Sequence, residues 1–143
     1  MRVALDTNIV LSGLFFNGNE RRILELALAK KIRLVLSETV IRETANNLQK
    51  KFSGSPESGK AKRAIQALVD ASEVVGLPQA KKFFMEAKTI IRHENDAPVL
   101  AACMHAQPDC LITGDQDFFH LKKPVGFRIL TARQFLDGYS PRN

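Results

Sequence analysis

The chain has 143 residues, the length of one ordinary domain, and its 45% hydrophobic and 25% charged residues supply enough apolar side chains to offset the entropy of ordering, which excludes disorder across the whole chain. No apolar run approaches the roughly 18 residues of a membrane span and the N-terminus lacks the basic-then-apolar pattern of a signal peptide, so a soluble, cytoplasmic protein is expected, one domain over residues 1–143. Lys and Arg number 21 against 15 Asp and Glu, a net charge of +6 and an isoelectric point near 9.6, which directs attention to an anionic partner.

Val3-Ala4-Leu5 is a short unbroken apolar run that stops at Asp6, as a strand buried on both faces would. Helical periods follow over Asn8 to Phe16 and Glu20 to Lys30. A second strand is expected at Leu34-Val35-Leu36. The third helix, Thr39 to Lys50, carries Val40, Ile41, Thr44, Ala45 and Leu48 as one stripe. Lys50 to Arg63 then holds five basic residues (Lys50, Lys51, Lys60, Lys62, Arg63) against one acid, Glu57. Its Phe52-Ser53-Gly54-Ser55-Pro56 and Ser58-Gly59 predict a mobile loop between two helices. A helix over Glu57 to Asp70 leads to a strand at Val74-Val75. Gln79 to Ile91 has helical composition but no assigned place. A helix over Asp96 to Ala106, with Val99, Leu100, Cys103 and Met104 on one stripe, precedes strands at Cys110-Leu111-Ile112 and Phe127 to Leu130. All-apolar strands alternating with helices predict an α/β protein whose parallel sheet is covered on both faces. Cys103 and Cys110 lack metal-ligand spacing and are read as small buried hydrophobes.

Ligands of open parallel sheets bind beyond the carboxyl ends of the strands, and the residues there are acidic or small and polar. Asp6-Thr7-Asn8 follows the first strand and Thr113-Gly114-Asp115-Gln116-Asp117 the fourth. Each segment suits helix or turn capping. If the two strands are neighbours, however, Asp6 and Asp115 emerge side by side and repel unless a cation or substrate group compensates. Asp96 lies three residues before Val99, in the middle of an apolar stripe. It serves either as a helix cap, with Pro98 tolerated in the first turn, or as a ligand. Glu43 lies at the edge of its own helix's stripe, where solvated surface is the ordinary role. Carboxylates without Cys, His pairs or a Gly-rich phosphate loop suit a hard divalent ion, which lowers the pKa of a bound water and offsets charge on a phosphodiester.

Together, Asp6-Thr7-Asn8 after an N-terminal strand, Glu43 on the third helix, Asp96 opening NDAPVLAAC, and TGDQDF after the fourth strand resemble a PIN-domain ribonuclease over about Met1 to Leu136. The resemblance implies a three-layer α/β/α domain with a five-stranded parallel sheet in the order 3-2-1-4-5, and a Mg2+- or Mn2+-dependent nuclease that cuts RNA. It implies Asp6, Glu43, Asp96 and Asp115 as the catalytic acids, with Asp6, Asp96 and Asp115 on the metal. Asp117 is then an auxiliary acid, and Asn8 and Thr113 are polar neighbours that orient ligands or water. Compact PIN domains of this size are often VapC-like toxins, which implies an antitoxin partner and a homodimer. Because acids repel the phosphates they must cleave, Lys50, Lys51, Lys60, Lys62 and Arg63 are the candidate RNA-binding cations.

Two other classes compete. A phosphohydrolase using Asp6 as nucleophile usually carries a second acid two positions on, where this chain has Asn8. A non-catalytic RNA-binding or scaffold protein of the same fold would have lost its acids, and all four are present. His93, His105 and His120 are scattered and read as solvated, although His93 stands three residues before Asp96. Of the adjacent pairs Phe15-Phe16, Phe83-Phe84 and Phe118-Phe119, at least one ring each is expected in the core and the other at a dimer face, ahead of base stacking as the alternative.

Overall fold

The structure, a computed structural model, describes residues 1–140; residues 141–143 of the expected domain lie outside the described residues. The chain runs β1 (Arg2–Leu5), α1 (Thr7–Phe15), α2 (Asn19–Leu28), β2 (Arg33–Ser37), α3 (Glu38–Phe52), α4 (Pro56–Asp70), β3 (Glu73–Val75), α5 (Leu77–Lys81), α6 (Phe84–Ile90), α7 (Ala97–Ala106), β4 (Cys110–Ile112), β5 (Arg128–Leu130) and α8 (Ala132–Gly138). Short 3-10 turns at Glu94–Asp96 and Gln116–His120 precede α7 and follow β4.

All five strands are parallel, in the order β3-β2-β1-β4-β5. β1 is central: Val3 pairs with Leu34 of β2 on one side and Cys110 of β4 on the other. Val3, Leu5, Leu34, Leu111 and Ile112 are buried almost completely, which is why these strands are apolar without alternation. Chain direction within the sheet reverses at β1. β1 to β3 progress one way through α1 to α4, which pack on one another, while the return to β4 uses α5, α6 and α7, a second mutually packed set. With right-handed crossovers, the two sets cover opposite faces and give the three layers. A crevice therefore opens at the carboxyl ends of β1 and β4, where the order switches.

The segment expected as a mobile loop is a correction. α3 continues through Lys50 and Lys51 to Phe52, the connection is Ser53-Gly54-Ser55 alone, and α4 begins at Pro56. Gly54 takes φ +77°, which a residue with a side chain rarely adopts, so three residues suffice to reverse the chain. Lys60, Lys62 and Arg63 are consequently helical, and with Lys50 and Lys51 they stand exposed on a helical hairpin. Gln79 to Ile91 is split between α5 and α6, which pack against α7. α8, to which the sequence reading assigned no place, begins with a capping box: Thr131 Oγ1 accepts from the Gln134 N–H at 3.1 Å and Gln134 Oε1 accepts from the Thr131 N–H at 2.9 Å.

Gly13 sets the approach of α1 and α2. A Cβ placed there would lie 2.5 Å from Leu24 Cδ1 and 3.0 Å from the Glu20 carbonyl oxygen. Gly13→Ala is therefore expected to destabilise the protein by about 1–2 kcal/mol, the overpacking outweighing alanine's better helix propensity. Urea unfolding checks this; an unchanged or raised midpoint would show that the two helices separate freely.

Candidate functional site

Asp6 leaves β1 in extended conformation and caps α1, its Oδ1 accepting from the Thr7 N–H at 2.8 Å. Its other oxygen, Oδ2, accepts from the Thr113 hydroxyl at 2.9 Å. Thr113 is fully buried at the end of β4, and its Oγ1 accepts in turn from the Asp115 N–H at 3.0 Å. Asp115 Oδ1 then accepts from the Asp117 N–H at 2.9 Å, capping the 3-10 turn. Two capping carboxylates on neighbouring strands are thus locked together by one threonine. Capping and gathering are the same geometry here.

Asp96 resolves differently. Its backbone is already helical (φ −89°, ψ −10°) and its side chain caps nothing. It meets Asp115 and Asp117 instead, one carboxylate oxygen from each of the three lying within 4.8 Å of the others. Burial, foremost, and then the charge of Asp115, a hydrogen bond shared with it, and the charges of Asp6 and Asp117 push the Asp96 carboxyl up to about 6. Asp6 is also raised, chiefly by burial; the hydrogen bonds from Thr113 and Thr7 oppose that rise and the charge of Asp115 adds to it.

Glu43 stands one contact away. The Thr7 hydroxyl donates to Glu43 Oε1 at 3.2 Å, so α3 is tied to the first turn of α1 beside Asp6. Asn8 is exposed on that turn, and no hydrogen bond among the described residues ties it to the acids. Of the five cations of the helical hairpin, Lys50 and Lys51 lie at least seven residues beyond Glu43, about 10 Å along α3, while Lys60, Lys62 and Arg63 stand on α4, which turns back along it. Two contacts escaped the sequence reading. Sequence reads Thr7 as a cap and His93 as solvated or, from its place three residues before Asp96, as a substrate contact; neither reading gives these partners, and His93 Nε2 lies 3.3 Å from Asp117 Oδ2 while the imidazole stays largely exposed. The position of His93 just before the Asp96 turn was the only available hint.

A model of the PIN domain matches residues 2–117. The chain belongs to the PIN domain family. No curated protein matches it in sequence. Among solved structures, this PIN domain is similar to VapBC2 from Rickettsia felis bound to a DNA fragment from their promoter, with a TM-score of 0.67 and 18% identity over 90% of this chain and 97% of that one. It is similar also to FitAcB from Neisseria gonorrhoeae (TM-score 0.64, 12% identity, 92% and 98% covered) and to PAE2754 from Pyrobaculum aerophilum (0.62, 15%, 96% and 88%). At these identities the likeness is one of fold. No helix among the described residues is long and apolar enough to cross a membrane.

The donor set fits a hard divalent cation. It offers only oxygens, three carboxylates already within coordinating reach of one another, and a mutual repulsion that a cation relieves. Asp96→Asn is accordingly expected to raise the melting temperature of the metal-free protein at pH 7 by about 3 °C, a value discounted for the partial exposure of the group. The sign follows from the raised folded-state value: between about pH 4 and 6 the native state binds the extra proton, so stability falls as pH rises through that window. The gain from Asp96→Asn should therefore be less than half as large near pH 4.5 and vanish below about pH 3.5. Thermal melts of both proteins in EDTA at these pH values check it, and a variant less stable at pH 7 would return Asp96 to a capping role.

Proposed function

We propose that this PIN domain, residues 1–143 as a single domain, is a cytoplasmic Mg2+- or Mn2+-dependent endoribonuclease and the toxin of a toxin–antitoxin pair. The observation that carries the reading is that Asp96, Asp115 and Asp117 each bring a carboxylate oxygen within 4.8 Å of the others, with Asp6 joined to Asp115 through Thr113, and without the cysteines or imidazole pairs that would suit a softer ion. Asp6, Asp96 and Asp115 hold the ion, and Asp117 assists. Bound there, Mg2+ or Mn2+ supplies a water of lowered pKa and positive charge facing the scissile phosphodiester.

The remaining roles belong to the chain's own side chains. Thr113 fixes Asp6 against Asp115, and Thr7 fixes Glu43 beside them, so the catalytic acids face the substrate in set rotamers. One carboxylate of the set accepts the proton of the attacking water, and hydrolysis proceeds in line without a covalent enzyme intermediate. Asn8, exposed on the first turn of α1, would orient water or substrate. Lys50, Lys51, Lys60, Lys62 and Arg63 hold RNA phosphates at a distance from the repelling acids. Asn8 stands where an aspartate-nucleophile phosphohydrolase usually carries its second acid, which disfavours Asp6 as a nucleophile. Likeness of fold to VapBC2 and FitAcB supports an antitoxin as protein partner; a second copy of the chain as the assembly rests on analogy alone.

Incubation with total RNA in Mn2+, Mg2+ or EDTA, beside Asp6→Asn, tests the reading. Cleavage with either metal, lost in EDTA and in the variant, is expected. No cleavage under any metal would transfer the assignment to an RNA-binding or scaffold protein.

A further inference from the structure

α1 and α3 touch at both ends. Near the acids the Thr7 hydroxyl meets Glu43, and at the far end the rings of Phe15 and Phe52 lie 5.2 Å apart, tilted by 44°. The helices therefore run side by side in the same direction, away from the acids, for eight or nine residues, which is about 12 Å. At the far end Lys51 Nζ sits 4.5 Å from the centre of the Phe15 ring and 6.0 Å from that of Phe52. Neither ring is fully buried, and Phe16 beside them is 63% exposed. An aromatic pair left partly in water beneath a cation, on helices that begin at an acidic site, is not needed by the core, which Phe118 and Phe135 supply elsewhere.

We propose that the α1/α3 pair is a track for single-stranded RNA, and that Phe15 and Phe52 form a platform on which an unpaired base stacks, with Lys51 on the adjoining phosphate. The proposal rests on the nuclease reading of the acids and adds a base-stacking subsite at the far end of α1 and α3. Its chemistry is that of single-strand recognition generally: aromatic faces take any base, and cations take the backbone. About 12 Å is the span of roughly three or four nucleotides at the rise of about 3.4 Å per stacked nucleotide, so the base on the platform is that far from the cleaved bond. Charge favours a polyanion over a neutral peptide, since the adjoining hairpin adds Lys50, Lys60, Lys62 and Arg63 against Glu57, and continuity with the acids, which RNA must reach to be cut, favours RNA over an acidic peptide.

The test is fluorescence anisotropy in EDTA with fluorescein-labelled oligoadenylates of two, six and twelve nucleotides and a twelve-base-pair RNA duplex, with Mn2+-dependent cleavage of the twelve-nucleotide strand measured in parallel. Phe52→Leu should weaken the six- and twelve-nucleotide strands about tenfold and leave the dinucleotide and duplex unchanged. Phe52→Tyr, which keeps the ring, should bind as the parent does. Lys51→Ala should lower the salt slope by about 0.7, and Phe52→Leu should not. If the parent binds and cuts RNA but Phe52→Leu, folded by circular dichroism, matches it on every strand, the track is wrong and the nuclease reading stands. Equal losses on strand and duplex would also overturn the track, because duplex bases cannot stack on the platform. A parent that neither binds nor cuts would overturn both.

Discussion

Asp115→Asn is expected to abolish RNA cleavage, by at least about a hundredfold, while RNA affinity stays within about threefold of the parent. Asn keeps an oxygen to accept from the Asp117 N–H, and the backbone N–H of residue 115 still donates to Thr113, so the turn after β4 survives. What is lost is one negative charge from the middle of the acid cluster, the group nearest to both Asp96 and Asp6 in electrostatic effect. Single-turnover cleavage and anisotropy on the same preparations separate the two effects. Cleavage that persists at the parental rate would remove Asp115 from the chemistry, and a collapse of RNA binding would show that it holds substrate rather than metal.

Replacing Lys50, Lys51, Lys60, Lys62 and Arg63 together with Ala is expected to act in the opposite way. The five side chains are exposed on α3 and α4, and alanine is the best helix former, so the hairpin should fold. RNA affinity should fall by roughly tenfold to a hundredfold near 0.1 M salt, and the slope of log K against log salt should flatten by about 0.7 for each phosphate contact removed. Mn2+ affinity should be unchanged, because Lys50 and Lys51 are already about 10 Å along α3 from Glu43 and none of the five cations is ion-paired to the acids among the described residues. Binding that keeps its parental salt dependence would leave the hairpin without a role in substrate capture.

The sheet was legible because parallel strands buried on both faces cannot hide their composition. Val3 to Leu5, Leu34 to Leu36 and Cys110 to Ile112 are apolar throughout, and each is followed by the polar residue that the open crevice requires. Strand order was another matter: periodicity says nothing of it, and 3-2-1-4-5 came from the resemblance carried by Asp6, Glu43, Asp96 and the TGDQDF turn. The Lys50 to Arg63 segment shows the limit of breaker residues. Ser, Gly and Pro mark a chain reversal, but they do not give its length; Gly54 alone makes the turn, Pro56 fits the first turn of a helix, and Gly59 is accommodated within α4. α8 was missed although Thr131 and Gln134 carry a capping-box pair. In the site, Asp96 could be placed on the core side of its helix but not distinguished from a cap, since that depends on a backbone already helical one residue early. The Thr7 to Glu43 and His93 to Asp117 contacts join residues 36 and 24 positions apart, and only the packing of α3 and of the turn before α7 brings them together.

The central claim, that these carboxylates are gathered to hold a divalent cation, is tested most directly by calorimetric titration of Mn2+ into metal-free protein at pH 7, for the parent and for Asp96→Asn with Asp115→Asn combined. The account predicts saturable binding to the parent and its loss in the double variant, which should remain folded and be at least as stable as the metal-free parent. A parent that gives no more heat than buffer, or a double variant that binds as tightly as the parent, would contradict it.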